Sequence, residues 1–169
     1  VAARTAPDAF TVVVMGDGPE RDALHALASD LAIGDRVRFL PGVPHGEMPA
    51  VYEAFDVTVV PSRTTRTWKE QFGRVAAEGM AAGSTVVVSS SGALPSVVGD
   101  AGIVTPEGDV EALAGVLSRL VASPAEREER SRRGRERARQ RFTWTGIARA
   151  LAERYRAMLE TDASAVRPG

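Results

Sequence analysis

The 169 residues contain no cysteine, which excludes disulfides, thiolate metal sites and a cysteine nucleophile. Only His25 and His45 can offer imidazole, so a zinc site is not expected. No apolar run approaches the length of a bilayer span, and no charged, apolar and then small-residue leader opens the chain. Those two absences set the expectation of a cytoplasmic location. Charge of one sign is also lacking, since 21 basic residues face 22 acidic ones. No global field draws the chain toward nucleic acid or an anionic membrane. Nucleic acid is therefore not an expected partner, and peripheral membrane contact is expected only through a parent protein. Internal repeats and linkers are missing too. The length implies one domain over 1–169 with an ordered core of about 10–160, long enough to bury a real core. Hydrophobic residues at 44% and charged residues at 25% match an ordinary globular domain. The chain opens on Val1 rather than Met, which suggests an excised or processed piece.

What is present is an alternation of short β-branched runs and helical periodicities. Strands are expected at 10–15 (FTVVVM), 36–40 (RVRFL), 56–60 (DVTVV), 84–88 (STVVV) and, weakly, 102–104. Between them, Leu24, Leu27 and Leu31 repeat at helical spacing from Pro19 to Ile33, with Gly34 as the stop. Met48, Val51, Tyr52 and Phe55 mark a short helix, and Gln71 to Ala82 another, ended by Gly83. A short turn of helix is expected near Pro95–Val98. Helices follow at 109–122 (apolar face Val110, Leu113, Val116, Leu117, Leu120), 124–140 and 143–160, with a frayed tail from Thr161. This pattern is that of an α/β domain with a doubly wound, Rossmann-like parallel sheet. Ligands of such sheets bind at the carboxyl ends of the strands. Attention therefore falls on Gly16–Gly18, Pro41–Pro44, Ser62–Gly73 and Ser89–Pro95. The arginine-rich segment 126–141 reads as a solvated helical face, with a phosphate-tracking patch as the minority reading.

Gly16-Asp17-Gly18 follows a strand and precedes a helix, but a dinucleotide fingerprint would need glycine where Arg21 stands. Gly16 still allows a sharp turn that brings backbone close to a cleft. Ser89-Ser90-Ser91-Gly92 has no nucleophile-elbow context. The most specific stretch is Glu70 to Gly83, in which seven residues separate Glu70 from Glu78. If all of it were helical, the rise would set the carboxylates roughly 12 Å apart. That suits the two ends of an elongated polar ligand, and exceeds the about 5–9.5 Å of paired glycosidase carboxylates. Amides near Phe72-Gly73 would open a helix whose unpaired N–H groups favour phosphate. An amphipathic helix with two solvated glutamates fits the spacing equally well.

The stretch WKEQFGRVAAEGMAAG resembles the E-x7-E signature of retaining GT-B glycosyltransferases of family 4. VVVMGDGPERDAL is similar to that family's strand–G-x-G-P–helix segment. DRVRFLPGVPHGEMPAVYEAFDVTVVPS, GSTVVVSSSGALPSVVGDAGIVTPEGDVEALA and RFTWTGIA resemble its further blocks, in family order from about Phe10 to Leu159. The resemblance implies the C-terminal, nucleotide-sugar-binding half of a GT-B fold. It implies transfer of a hexose-type sugar from a nucleoside diphosphate with retention, needing no cofactor and no metal. Glu78 would hydrogen-bond the ribose hydroxyls, and Glu70, the catalytic candidate, would reach the donor sugar. The amides of Phe72 and Gly73 would face the sugar or diphosphate, Val75 would pack near ribose and base, and Val43 would meet the base through its backbone. Carboxylates suit paired sugar hydroxyls, and helix-start amides suit diphosphate.

Two residues depart from the family pattern: Gly79 stands where alanine is usual, and Ser96 where glutamate is frequent. The family's upstream arginine and lysine, and its N-terminal acceptor domain, are not in this sequence, whose only lysine is Lys69. The chain alone is therefore expected to be inactive, because leaving-group charge would lack its main stabiliser. The alternatives are a nucleotide-sugar epimerase of the same fold and a non-catalytic nucleotide-sugar-binding module. His45 reads as a solvated loop histidine, His25 as a surface residue, and Trp68 as lining the cleft or meeting another domain. Trp144, after the candidate cap Thr143, reads as the anchor of the last helix.

Overall fold

The computed structural model describes residues 10–165, with side chains through residue 160. Its strands are β1 (Val12–Met15), β2 (Val37–Leu40), β3 (Val57–Val60), β4 (Thr85–Ser89) and β5 (Ile103–Thr105). The helices are α1 (Arg21–Asp30), α2 (Met48–Glu53), α3 (Arg74–Ala82), α4 (Leu94–Val98), α5 (Val110–Ala122), α6 (Pro124–Arg141) and α7 (Trp144–Ala165). Every pairing is parallel, so each ladder needs a crossover, and α1, α3 and α4 lie in the three that join paired strands. The α/β alternation read from the sequence is the alternation found.

The sheet is not continuous among the described residues. One piece has the order β1-β2 and the other β3-β4-β5. β1 pairs only with β2 and β3 only with β4, which leaves an open edge on each. Burial follows this division. All five residues of β4 are buried, whereas β2 alternates between half-buried and exposed. The core gathers Val86 and Val88 with Ala76, Met80, Leu94 and Val98 from the flanking helices. Full burial of such side chains contributes about 1.5–3 kcal/mol for each large aliphatic one.

α6 crosses this core at Gly134, where an added Cβ would stand 3.3 Å from the Met80 side chain. Glycine lets the two helices approach closely there. Part of α6 is the solvated face that the sequence suggested, with exposed Arg132 paired to Glu129 at 2.8 Å and Arg139 to Glu136 at 2.9 Å, but four other arginines turn inward to backbone carbonyls. Arg137 donates to the carbonyls of Val97 at 2.7 Å and Ser96 at 2.6 Å, in α4. Arg130 donates to Gly102 O at 3.0 Å, Arg127 to Leu120 O, and Arg135 to Ala82 O at 3.4 Å. Apart from Gly102, which precedes β5, these carbonyls lie at or near helix ends that lack an intrahelical donor, where guanidinium groups are favoured.

Other boundaries differ for local reasons. α1 ends at Asp30, not at Gly34. Ala32 adopts φ 54°, its N–H bonds Ser29 O at 2.8 Å, and Ile33 N–H bonds Ala28 O at 2.9 Å. This is a Schellman motif built on alanine, and Gly34 instead opens a short 3-10 turn. α7 continues through Ala165, past the expected fraying at Thr161, and residues 166–169 lie outside the described part. Thr143 does cap α7, accepting from Gly146 N–H at 3.1 Å. Trp144, however, is 88% exposed and anchors nothing. Phe142 takes that role, packed against the core with its ring edge-to-face on Phe72 at 5.7 Å. Ile147, Leu151, Tyr155 and Met158 continue an exposed apolar series along α7, and Leu24, Leu27 and Leu31 are similarly uncovered on α1.

Candidate functional site

Because the strands of each sheet are parallel, the residues singled out by sequence follow carboxyl strand ends. Gly16 follows β1, Val43 lies beyond β2, Glu70 follows the loop after β3, and Gly92 follows β4. Gly16 adopts φ 117°, a value that only glycine holds without strain. Its N–H donates to Leu40 O at 3.0 Å, which ties the β1 turn to the end of β2. Arg21, standing where a third glycine would be needed, closes this turn by donating to Gly16 O at 3.0 Å and Asp17 Oδ1 at 2.8 Å.

Glu70 is seated by backbone. Its carbonyl accepts from Ala93 N–H at 3.1 Å. Gly92, at φ 54°, makes this approach possible, since a Cβ there would stand 1.9 Å from the same oxygen. The Glu70 carboxylate turns over the start of α3, accepting from Gly73 N–H at 3.0 Å and from Ser62 Oγ at 3.4 Å. Gly73 itself is left-handed (φ 80°), and a Cβ on it would meet Leu94 Cδ2 at 2.3 Å. α3 therefore starts at Arg74, three residues later than the sequence suggested. Glu70 is off the helix, so the eight-step spacing does not apply. The Gly73 amide is also already engaged, and an anionic ligand reaching it would displace the carboxylate. The N–H groups of Arg74 and Val75, at the first two positions of α3, have no acceptor within the helix.

Glu78 lies a little over one turn further along α3 and is about three-quarters buried. Arg74 Nε stands 3.3 Å from its Oε1, an i,i+4 pair on the helix surface. On its other side, the phenol of Tyr52, from α2, faces the Glu78 carboxylate. Tyr52 is buried, and burial together with that carboxylate holds its hydroxyl protonated, with a pKa raised to about 12. Sequence reasoning missed Tyr52, because a tyrosine at a helical apolar position reads only as core. Gly79 next door packs on Thr58, whose atoms would lie 3.1–3.3 Å from an added Cβ. Thr58 is fixed by its bond to Ser84 Oγ at 2.8 Å. That contact accounts for a glycine in place of the usual alanine.

The structure thus brings Glu70, Phe72, Gly73, Val75 and Glu78 onto and around one helix start, with Tyr52 beside them. Phe72 and Val75 are exposed. Val43 and Gly16 lie at the ends of the other sheet piece, with no hydrogen bond or ion pair linking them to Glu70 or Glu78. A cavity of about 130 Å³ lies beyond the ends of β3, β4 and β5, lined in part by Pro61, Arg63, Thr105, Asp109 and Leu113. Neither glutamate lines it. His45 is exposed in its loop, and His25 is exposed but stacked on Phe39 at 3.8 Å. Trp68 is 50% exposed in a turn closed by Thr65 N–H to Trp68 O at 2.8 Å. Among the described residues, no group of three or more His, Asp or Glu is placed to hold a metal, and no helix is long and apolar enough to cross a membrane.

The family described as Glycosyl transferases group 1 matches residues 2–140. The D-inositol 3-phosphate glycosyltransferase of Saccharomonospora viridis is 39% identical over 153 residues, which is 86% of this chain and 34% of that protein. Among solved structures, sucrose-phosphate synthase from Thermosynechococcus elongatus superposes with a TM-score of 0.73 at 32% identity, covering 95% of this chain and 41% of that one. HepE of Anabaena, in complex with UDP, superposes with a TM-score of 0.78 at 26% identity, covering 92% and 43%. The chain spans about a third of the length of the curated relatives it matches.

Proposed function

Since the chain belongs to the glycosyl transferases group 1 family, a transferase family, we propose that it is the donor-binding half of a retaining GT-B glycosyltransferase of the family 4 type. In this reading it takes a nucleoside-diphosphate sugar, and an N-terminal domain beyond this sequence supplies the acceptor site. One observation carries the proposal. Glu70 is folded over the amides that open α3, and Glu78 is held on the same helix between Tyr52 and Arg74. The fold of the UDP-bound Anabaena protein supports it.

The division of labour follows from the chemistry of each group. Glu78 is about three-quarters buried and already flanked by Arg74 and Tyr52, so its carboxylate accepts from the paired ribose hydroxyls at little further ordering cost. The open N–H groups of Arg74 and Val75, at the positive end of the α3 dipole, face the diphosphate. Glu70 leaves the Gly73 amide to accept from the donor sugar, freeing that amide for the ligand. Val75 and the Val43 backbone border ribose and base, and Gly16 keeps the β1 turn narrow beside them. No metal enters this scheme, and the protein works in the cytoplasm. The family's upstream arginine and lysine, which precede this sequence, supply the remaining positive charge on the leaving group, and the N-terminal domain supplies the acceptor, so this chain alone turns over no donor.

The test is calorimetric titration of the chain with UDP, UDP-glucose, GDP and GDP-mannose. Glu78→Gln is expected to weaken nucleotide and nucleotide sugar alike by about 1–3 kcal/mol, the range for hydrogen bonds to a charged group. Glu70→Gln is expected to weaken only the sugar conjugate. Binding that is unchanged by Glu78→Gln refutes the ribose assignment. No binding of any of the four at millimolar concentration refutes a donor-binding role for the chain.

A further inference from the structure

Glu107 lies in the turn between β5 and α5, 43 residues from Thr64 in sequence, yet both of its carboxylate oxygens are spent on that residue. Thr64 N–H donates to Oε2 at 2.6 Å, and the Thr64 hydroxyl donates to Oε1 at 2.8 Å. The Thr64 hydroxyl oxygen also lies 3.0 Å from Ser91 Oγ, and Glu107 N–H donates to Ser90 Oγ at 3.2 Å. Ser89 Oγ donates to the carbonyl of Ser62. Ser89 at the end of β4, Ser91 and Glu107, itself tied to Ser90, thus grip the first residues of the loop that ends at Glu70. The far end of the loop is closed on itself, with Trp68 N–H donating to Thr65 Oγ1 at 3.0 Å.

A bidentate carboxylate that accepts from a backbone amide and a hydroxyl fixes direction as well as distance. The Thr64 donors hold the Glu107 carboxyl below its ordinary range, with the positive charge of Lys69 adding to the effect. With both oxygens engaged, Glu107 has little to offer a ligand directly. Its bonds instead fix where the Ser62–Lys69 loop leaves β3, and hence where the Glu70 backbone is anchored on Ala93, the point from which its carboxylate swings from Gly73 to the sugar. We infer that Glu107 is a positioning residue for Glu70, acting through Thr64, so that it governs the sugar-dependent part of donor binding and not the nucleotide part. This rests on the reading of Glu70 as the donor-sugar contact.

The experiment has two arms. In the first, Trp144→Phe leaves Trp68 as the only indole, and acrylamide quenching reports how tightly the loop is held. Glu107→Gln and Thr64→Val are expected to raise quenching at unchanged far-ultraviolet circular dichroism, while Thr64→Ser, which keeps the hydroxyl, restores the wild-type value. In the second, UDP and UDP-glucose are titrated into the wild type, Glu107→Gln, Glu70→Gln and the double variant. Glu107→Gln is expected to weaken UDP-glucose about tenfold, the loss of one well-placed charged hydrogen bond, with UDP changed less than twofold. In the Glu70→Gln background it is expected to cost nothing more, because the two act as one unit.

Unchanged Trp68 quenching overturns the clasp. Raised quenching with an intact UDP-glucose affinity overturns the positioning role, as does an equal loss in the Glu70→Gln background. If Glu70→Gln alone leaves UDP-glucose untouched, the reading of Glu70 fails and the positioning role falls with it. The quenching arm separates that outcome from failure of the clasp.

Discussion

Replacing Gly92 by alanine attacks the seat of Glu70 without touching either glutamate. The new Cβ would sit 1.9 Å from the Glu70 carbonyl oxygen, about 1.5 Å short of ordinary contact. That neighbour is backbone, not the end of a flexible side chain, so the Ser91–Ala93 turn or the Glu70 peptide must move. Movement breaks the bond from Ala93 N–H to Glu70 O, now 3.1 Å, at a net cost of about 0.5–1.5 kcal/mol. The left-handed backbone, at φ 54°, costs a residue with a Cβ about 1–2 kcal/mol more. The expected destabilisation is therefore about 2–4 kcal/mol once residual strain is included. Urea unfolding followed by circular dichroism measures it as a fall in midpoint at constant slope. Titration with UDP-glucose should show a larger loss than titration with UDP, because Glu70 is displaced and Glu78 is not. A variant less than about 1 kcal/mol weaker than wild type, with both affinities intact, would refute the argument that this glycine exists to admit Glu70.

Ala32→Gly relieves the left-handed alanine of the Schellman motif and is expected to raise stability by about 1 kcal/mol, read as a higher urea midpoint. Gly79→Ala alone is expected to fall short of the about 1 kcal/mol helix-propensity gain, because Thr58 fills the space. Combined with Thr58→Ala it should be more stable than the sum of the single changes, which a thermal double-mutant cycle detects. The carboxyls of Asp100, Glu107, Glu126, Glu129 and Glu136 are all lowered, chiefly by arginine or Thr64 donors. Their stabilisation is present above the unfolded carboxylate range of about 4 and is lost as pH falls through the lower folded values. The melting temperature should drop between about pH 5 and pH 3, less steeply in high salt.

The strands were legible because short valine-rich runs bounded by glycine, proline and aspartate leave little choice, and each was found close to its expected span. The pairing of Glu70 and Glu78 with a helix start was legible as well. The start itself was not, because the left-handed turn at Gly73 depends on Leu94, twenty-one residues away. Tyr52 and Glu107 were invisible for a similar reason. Each matters through one partner distant in sequence, and neither residue type at its position announces one. The alternating charge of α6 marked its solvated face, but not Arg127, Arg130, Arg135 and Arg137, whose acceptors include backbone carbonyls that no sequence pattern marks. Trp144 misled because a large aromatic beside a cap suggests an anchor, and the ring two residues earlier, Phe142, does the packing instead.

The division of the strands into two sheets also divides the molecule in time. Amides of β4 have ladders on both sides and lie under α3, α4 and α6. Their hydrogens are expected to exchange with solvent only when the whole chain opens. Those of β1 and β2 belong to a two-stranded ribbon whose covering helix, α1, leaves its leucines 40–51% exposed. They are expected to exchange through a smaller, cheaper opening that leaves the β3–β4–β5 unit intact. Glu78 and Glu70 ride on the slow unit, while Gly16 and Val43 ride on the fast one. A ligand touching both would slow exchange in β1 and β2 first, tightening the half of the molecule that opens most often.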